Sequence, residues 1–121
     1  YGRGVGVDTT AFDRLPTRWT AAMEDADLSD APATAEVGGV PVLLVRRGRR
    51  VRALHDRCTH RGGPLHEGEM TDDTVTCPWH GSCFRLEDGA IVRGPATAPQ
   101  PSLEVRVRDG VIEVRRRAPQ R

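Results

Sequence analysis

The chain has 121 residues, 37% of them apolar and only 4% aromatic, with a net charge of +1. That length supports one domain with one modest core, and the near-neutral charge argues against a polyanion partner. No apolar run approaches the ~20 residues of a membrane span, and no signal peptide is visible.

Thirteen Gly and nine Pro predict many turns and an all-β fold packed mainly by Val, Leu and Ala. All 18 basic residues are Arg, a skew that reflects a G- and C-rich genome more than a function. Residues 1–18 show no clear period and read as an arm or linker. Opening on Tyr1 rather than Met points to a piece of a longer protein.

A first strand is expected over Trp19–Ala22, followed by an acidic connection, Glu24 to Pro32. Thr34–Val37, Val40–Arg46 and Arg50–His55 follow as strands, turning at Gly38-Gly39 and at Arg47-Gly48-Arg49. Residues 57–66 form a loop, and two short strands then flank Asp72-Asp73. Residues 77–83 form a second loop. Phe84–Leu86 and Ile91–Arg93 are short strands around Glu87-Asp88-Gly89. Three prolines between Gly94 and Pro101 make that segment stiff and extended. Leu103–Arg108 and Val111–Arg116 alternate apolar with charged residues and turn at Asp109-Gly110, the clearest hairpin in the chain. Residues 117–121 read as a tail, and the Arg run 115–117 as a solvated strand end rather than a nucleic-acid site.

The chemistry concentrates in the two loops. Cys58-Thr59-His60 is a C-x-H pair and Cys77-Pro78-Trp79-His80 a C-x2-H pair, with sixteen residues between His60 and Cys77. Gly62 and Gly63 follow the first pair and Gly81 the second. Thiolates bind iron tightly and spread its charge into sulfide, whereas neutral imidazole leaves its iron electron-poor. Zinc sites keep like ligands together, as C-x2–4-C and H-x3–5-H. Mixing one Cys and one His in each loop suits a two-iron cluster better, with a Cys2His2 zinc module as the competing reading. The glycines let backbone N–H groups approach bridging sulfides.

Cys58-Thr59-His60-Arg61-Gly62-Gly63-Pro64-Leu65, Cys77-Pro78-Trp79-His80-Gly81-Ser82, and Asp88-Gly89 with Gly94-Pro95-Ala96 resemble the signature of Rieske iron–sulfur domains. The resemblance covers about residues 19–116. It implies an antiparallel β-sandwich with an inserted cluster-binding subdomain, about 57–85, and one [2Fe–2S] cluster. It implies Cys58, His60, Cys77 and His80 as ligands, supported by Arg61, Gly62, Gly63, Trp79, Gly81, Ser82 and Pro95. Trp79 is expected to shield the cluster from water, with Pro64 and Leu65 doing so on the other side. Residues 94–101 match the proline loop that covers the cluster from a third side.

The implied function is one-electron transfer, as a ferredoxin-like protein or a redox module of a larger one. A reductase, an oxygenase or a membrane redox component would be the partner, in the bacterial cytoplasm or on the cytoplasmic face of a membrane protein. An alternative is the electron-input fragment of a ring-hydroxylating oxygenase. That activity needs a separate iron held by two His and a carboxylate, and only His55 and His66 remain for it, so no catalytic site is expected within this chain. His55 and His66 read as structural or solvated, and Cys83 as a packed residue.

High-potential family members carry a disulfide at the positions of Gly63 and Trp79 and a tyrosine at that of Phe84, and this chain has neither. Ser82 either donates to cluster sulfur or is simply small enough for a tight loop. The expectation is a low to intermediate potential, falling with alkaline pH as the imidazoles ionise. The charges around the histidines, Arg57, Arg61, Arg85, Glu67 and Glu69, are mixed and do not point to a strongly charged partner.

Overall fold

The run Val40–Val45 decides the architecture, because its side chains are buried on both faces of one strand. In the computed structural model, which describes residues 15–117, each expected strand forms, with ends moved by no more than two residues. The expected arm lies outside the described residues as far as position 14, and the tail beyond position 117.

Among the described residues, ten strands make two antiparallel sheets. They are β1 (Thr20–Glu24), β2 (Ala33–Val37), β3 (Val40–Arg47), β4 (Arg50–His55), β5 (Glu69–Thr71), β6 (Thr74–Thr76), β7 (Cys83–Arg85), β8 (Ile91–Arg93), β9 (Ser102–Arg108) and β10 (Val111–Arg116). The large sheet runs β1-β10-β9-β4-β3-β2, and the small one β5-β6-β7-β8. The small sheet is inserted in sequence between β4 and β9, which pair through Ala53–Leu103 and Leu54–Ser102. The acidic connection after β1 includes a single 3-10 turn, Asp25–Asp27. Asp72 and Asp109, each at φ 53°, begin tight turns in the left-handed region that Asp tolerates better than most residues.

β3 divides the interior. Val42 and Leu44 join Val40, Ala53, Leu103, Ile112 and Val114 in the base core. Leu43 and Val45 face the other way, into a second core with Leu54, Leu65, Val75, Phe84 and Leu86. Cys58 and Cys77 belong to this second core, so the packing that joins the two sheets also holds the thiols. Each buried Leu or Val there contributes roughly 1.5–3 kcal/mol relative to exposure.

The outer face of the β9–β10 hairpin is polar. Arg106 pairs with Glu113 at 2.6 Å and Arg115 with Glu104 at 2.5 Å, each across the ladder. Both guanidinium groups sit over the Trp19 ring, at 4.5 and 4.4 Å from its centroid. Cation–π attraction and covered apolar area thereby tie the start of the described chain to its end.

Candidate metal centre

Cys58 and Cys77 open two loops with the same inner hydrogen-bond scheme. The Cys58 N–H donates to the Gly63 carbonyl at 2.9 Å, and the Gly62 N–H returns to the Cys58 carbonyl at 2.7 Å. In the second loop the Cys77 N–H donates to the Ser82 carbonyl at 2.7 Å, and the Gly81 N–H returns to the Cys77 carbonyl at 3.1 Å. The scheme spans six residues in both loops, although one places its histidine two residues after cysteine and the other three.

The four side chains sort by type. Cys58 and Cys77 are buried, 1% and 3% exposed, and lie close enough for Cys77 to act on the Cys58 thiol. His60 is half-buried and His80 exposed, with ring centroids 5.3 Å apart and planes at 85°. Among the described residues, no three His, Cys, Asp or Glu side chains converge as the ligands of one metal ion. A thiol pair and an imidazole pair, set apart, suit two irons bridged by sulfide better than one tetrahedral zinc.

Burial, the largest influence, pushes the Cys58 thiol above its ordinary pKa, and the neighbouring Cys77 adds to this. The nearby backbone N–H groups of His60 and Arg61 work the other way. Those donors favour the thiolate, the form that binds metal. Arg61 thus contributes through its backbone, its side chain being exposed. The His60 imidazole is held below its usual value, first by desolvation and then by the charges of His80 and Arg61. It is therefore kept in the neutral form that coordinates metal.

Gly63 lies between the loops. A Cβ there would sit 2.6 Å from Cys77 Sγ and 3.1 Å from the Trp79 ring. Trp79 packs one edge against Gly63 yet is 56% exposed, so it covers loop 57–64 while presenting apolar surface to solvent. Leu65 is fully buried on the far side, and Pro64 is half-buried.

The segment 94–101 fastens both loops. Ser82 is fully buried, and its Oγ accepts the Ala96 N–H at 3.1 Å. Gly94, at φ 101°, passes so close to Ser82 that a Cβ would lie 2.6 Å from its Cα. Thr59 Oγ1 donates to the Ala98 carbonyl at 2.8 Å. Pro95 is exposed, and its neighbour Ala96 takes the buried position.

Two residues of this region are silent in the sequence. Gln100 is 1% exposed. Its Oε1 accepts the Thr59 N–H at 3.1 Å, and its Nε2 donates to the His55 and Arg57 carbonyls at 2.7 and 2.5 Å. Asp56 is 2% exposed and bonds His66 twice. The only sequence hint of Gln100 is a polar residue set between Pro99 and Pro101. His55 is buried, and desolvation lowers its pKa. Cys83 is fully buried in β7, opposite Thr76.

The profile of the Rieske [2Fe-2S] domain matches residues 18–107. The chain belongs to the Rieske [2Fe-2S] domain family. The ferredoxin CarAc of Metapseudomonas resinovorans is 36% identical over 64% of this chain and 73% of its own length. The anthranilate 1,2-dioxygenase ferredoxin subunit of Burkholderia cepacia is 34% identical over 74% of this chain and 83% of its own. Among solved structures, a chain from the complex of reduced oxygenase and oxidized ferredoxin in carbazole 1,9a-dioxygenase superposes with a TM-score of 0.76. It is 28% identical over 86% of this chain and 99% of that one. The antiparallel architecture is therefore that of a Rieske domain, its cofactor a [2Fe–2S] cluster, and its function one-electron transfer. The paired thiols, the paired imidazoles and the side-chain-free gap at Gly63 fit that cofactor.

Proposed function

We propose that Cys58 and Cys77 hold one iron of the cluster and His60 and His80 the other, and that this Rieske domain delivers electrons to the terminal oxygenase of a ring-hydroxylating dioxygenase. The sorting of ligands carries the reading: thiols buried together, imidazoles together toward the surface. When bound, the cluster supplies a one-electron couple. The chain's residues do the rest. Backbone N–H groups of His60 and Arg61 hold negative charge on the Cys58 sulfur, and the second core keeps water from both thiols. His60, His80 and the open face of Trp79 form the side through which an electron leaves.

The oxygenase partner is supported by the ferredoxin subunit of anthranilate 1,2-dioxygenase and by the oxygenase–ferredoxin complex, both similar to nearly this whole domain. A reductase would supply the electron. The mixed charges around the histidines favour a small, transient contact. No helix among the described residues is long and apolar enough to cross a membrane. The bacterial ferredoxin relatives support a setting in the bacterial cytoplasm, or on the cytoplasmic face of a membrane protein.

The test is the cluster-loaded protein mixed with a purified ring-hydroxylating oxygenase under single-turnover conditions. Wild type should show a rhombic EPR signal when reduced and lose it as the oxygenase is reduced. Cys58→Ser and His80→Ala should lack the signal. A fully loaded His80→Ala protein with an unchanged spectrum would reject the ligand assignment.

A further inference from the structure

The two ligand loops share their inner bonds but are closed differently at the base. Loop 77–82 rises from a regular ladder, in which Thr76 faces Cys83 across β6 and β7. Loop 58–63 leaves β4 on one side and meets a 3-10 turn, Leu65–Glu67, on the other. Only an isolated bridge, Arg57 to Pro64, spans it there. The ladder's place is taken by Asp56.

Four hydrogen bonds converge on that residue. Its N–H donates to the Pro41 carbonyl at 3.0 Å, and its carbonyl accepts the Leu65 N–H at 3.0 Å. Its Oδ1 accepts the His66 N–H at 2.8 Å. Its Oδ2 lies 2.6 Å from His66 Nδ1. A carboxylate can only accept, so the ring nitrogen must donate there. A carboxylate 2% exposed is costly unless its oxygens are satisfied, and His66 satisfies one oxygen with its backbone and the other with its ring. The ring in turn is half-buried, with Nε2 turned toward Glu67 at 3.6 Å.

We infer that Asp56 and His66 are a positioning pair for the electron-transfer centre. They lock the base of loop 58–63 and so set where Cys58 and His60 stand. The inference rests on the ligand assignment proposed above. Asp56 is two residues before Cys58, and its carbonyl bond to Leu65 adjoins the Cys58–Gly63 bond on the same short bridge, so loosening Asp56 loosens the backbone that carries the thiol. Loop 77–82 needs no such pair, because its ladder already fixes Cys77.

The test compares cluster-loaded Asp56→Asn, His66→Ala and His66→Asn with wild type. Asn keeps an N–H donor near the position of Nδ1. Trp19→Ala, which removes the ring under Arg106 and Arg115 of the base sheet, serves as a control of general destabilisation. Outer partners of metal ligands typically govern affinity by 10–100-fold. Asp56→Asn and His66→Ala should therefore lose iron to a chelator roughly tenfold faster or more and alter the EPR line shape. His66→Asn should restore both. Trp19→Ala should lower the unfolding temperature with the EPR signal unchanged.

Unchanged line shape and chelation rate in Asp56→Asn and His66→Ala would overturn the inference, as would His66→Asn behaving like His66→Ala. If His66→Ala fails to load, the comparison of His66→Asn with wild type decides. Cys58→Ser separates the two levels: full loading in that variant rejects the ligand assignment, whatever the pair does.

Discussion

Gly63 and Cys77 come from different ligand loops, yet a methyl group on the first would overlap the sulfur of the second at 2.6 Å. Gly63 has no positive φ, so its requirement is space rather than backbone freedom. The same glycine abuts Trp79, at 3.1 Å from a Cβ. These are the two positions where disulfide-bearing relatives of the family place their cysteines. The contact survives here without the bond, with the indole edge resting on the bare backbone.

Gly63→Ala is accordingly expected to prevent full cluster loading, because Cys77 must move to admit the methyl group. Gly81→Ala is the informative contrast. Gly81 sits at φ 80° with nothing within 4 Å of a Cβ, so alanine there costs about 1–2 kcal/mol of backbone strain and leaves the space between the loops intact. Iron content per chain after anaerobic reconstitution separates them: near-complete for Gly81→Ala, strongly reduced for Gly63→Ala.

Gln100 joins three backbone groups, at the end of β4 and in the first loop, to the proline segment. Gln100→Ala would leave the His55 and Arg57 carbonyls and the Thr59 N–H buried or partly buried without that partner. Each such group costs about 1–3 kcal/mol, and some are relieved by relaxation and water. A loss of about 2–4 kcal/mol in urea unfolding is expected. Gln100→Glu should be at least as damaging, because it replaces the donor to two carbonyls with an acceptor.

Strand alternation made β9, β10 and the hairpin turns legible, and the motif spacing made the four candidate ligands legible. Gln100 and Asp56 were not. Gln100 bonds backbone groups 41 to 45 residues away, and backbone acceptors have no sequence identity that a pattern could carry. Asp56 finds His66 only because the intervening loop closes on itself. Trp79 was legible as a neighbour of the centre but not in its exposure.

The turn between β7 and β8 gives a pH test. Arg85 holds Asp88 with two hydrogen bonds, 3.0 and 2.7 Å, and the Ala90 N–H adds a third at 3.0 Å. Together, with Arg85 the main cause, they lower the Asp88 pKa from 3.8 to about 2. A carboxylate with a depressed folded pKa stabilises the fold above its unfolded value. That stability is lost as pH falls from near 3.8 through about 2. Both side chains are about half exposed, so screening limits the effect to no more than about 1 kcal/mol. Asp88→Asn should lose less stability than wild type between pH 4 and 2, by about that amount.

Ser82 and Phe84 govern the last prediction, the reduction potential. Donors to cluster sulfur stabilise the more negative reduced state and raise the potential. Ser82 Oγ already accepts from the Ala96 N–H, which orients the hydroxyl and leaves its own hydrogen to donate. Phe84 is fully buried in the core that contains both thiols, and its ring brings no donor. Wild type should lie below about +200 mV, in the lower part of the range for such clusters. Ser82→Ala should lower the potential further. Phe84→Tyr should raise it if the new hydroxyl reaches the cluster, at some cost in stability because the site is apolar. Protein-film voltammetry reads all three. A Ser82→Ala protein with an unchanged potential would leave the serine as a residue chosen for its size, holding Ala96 and nothing more.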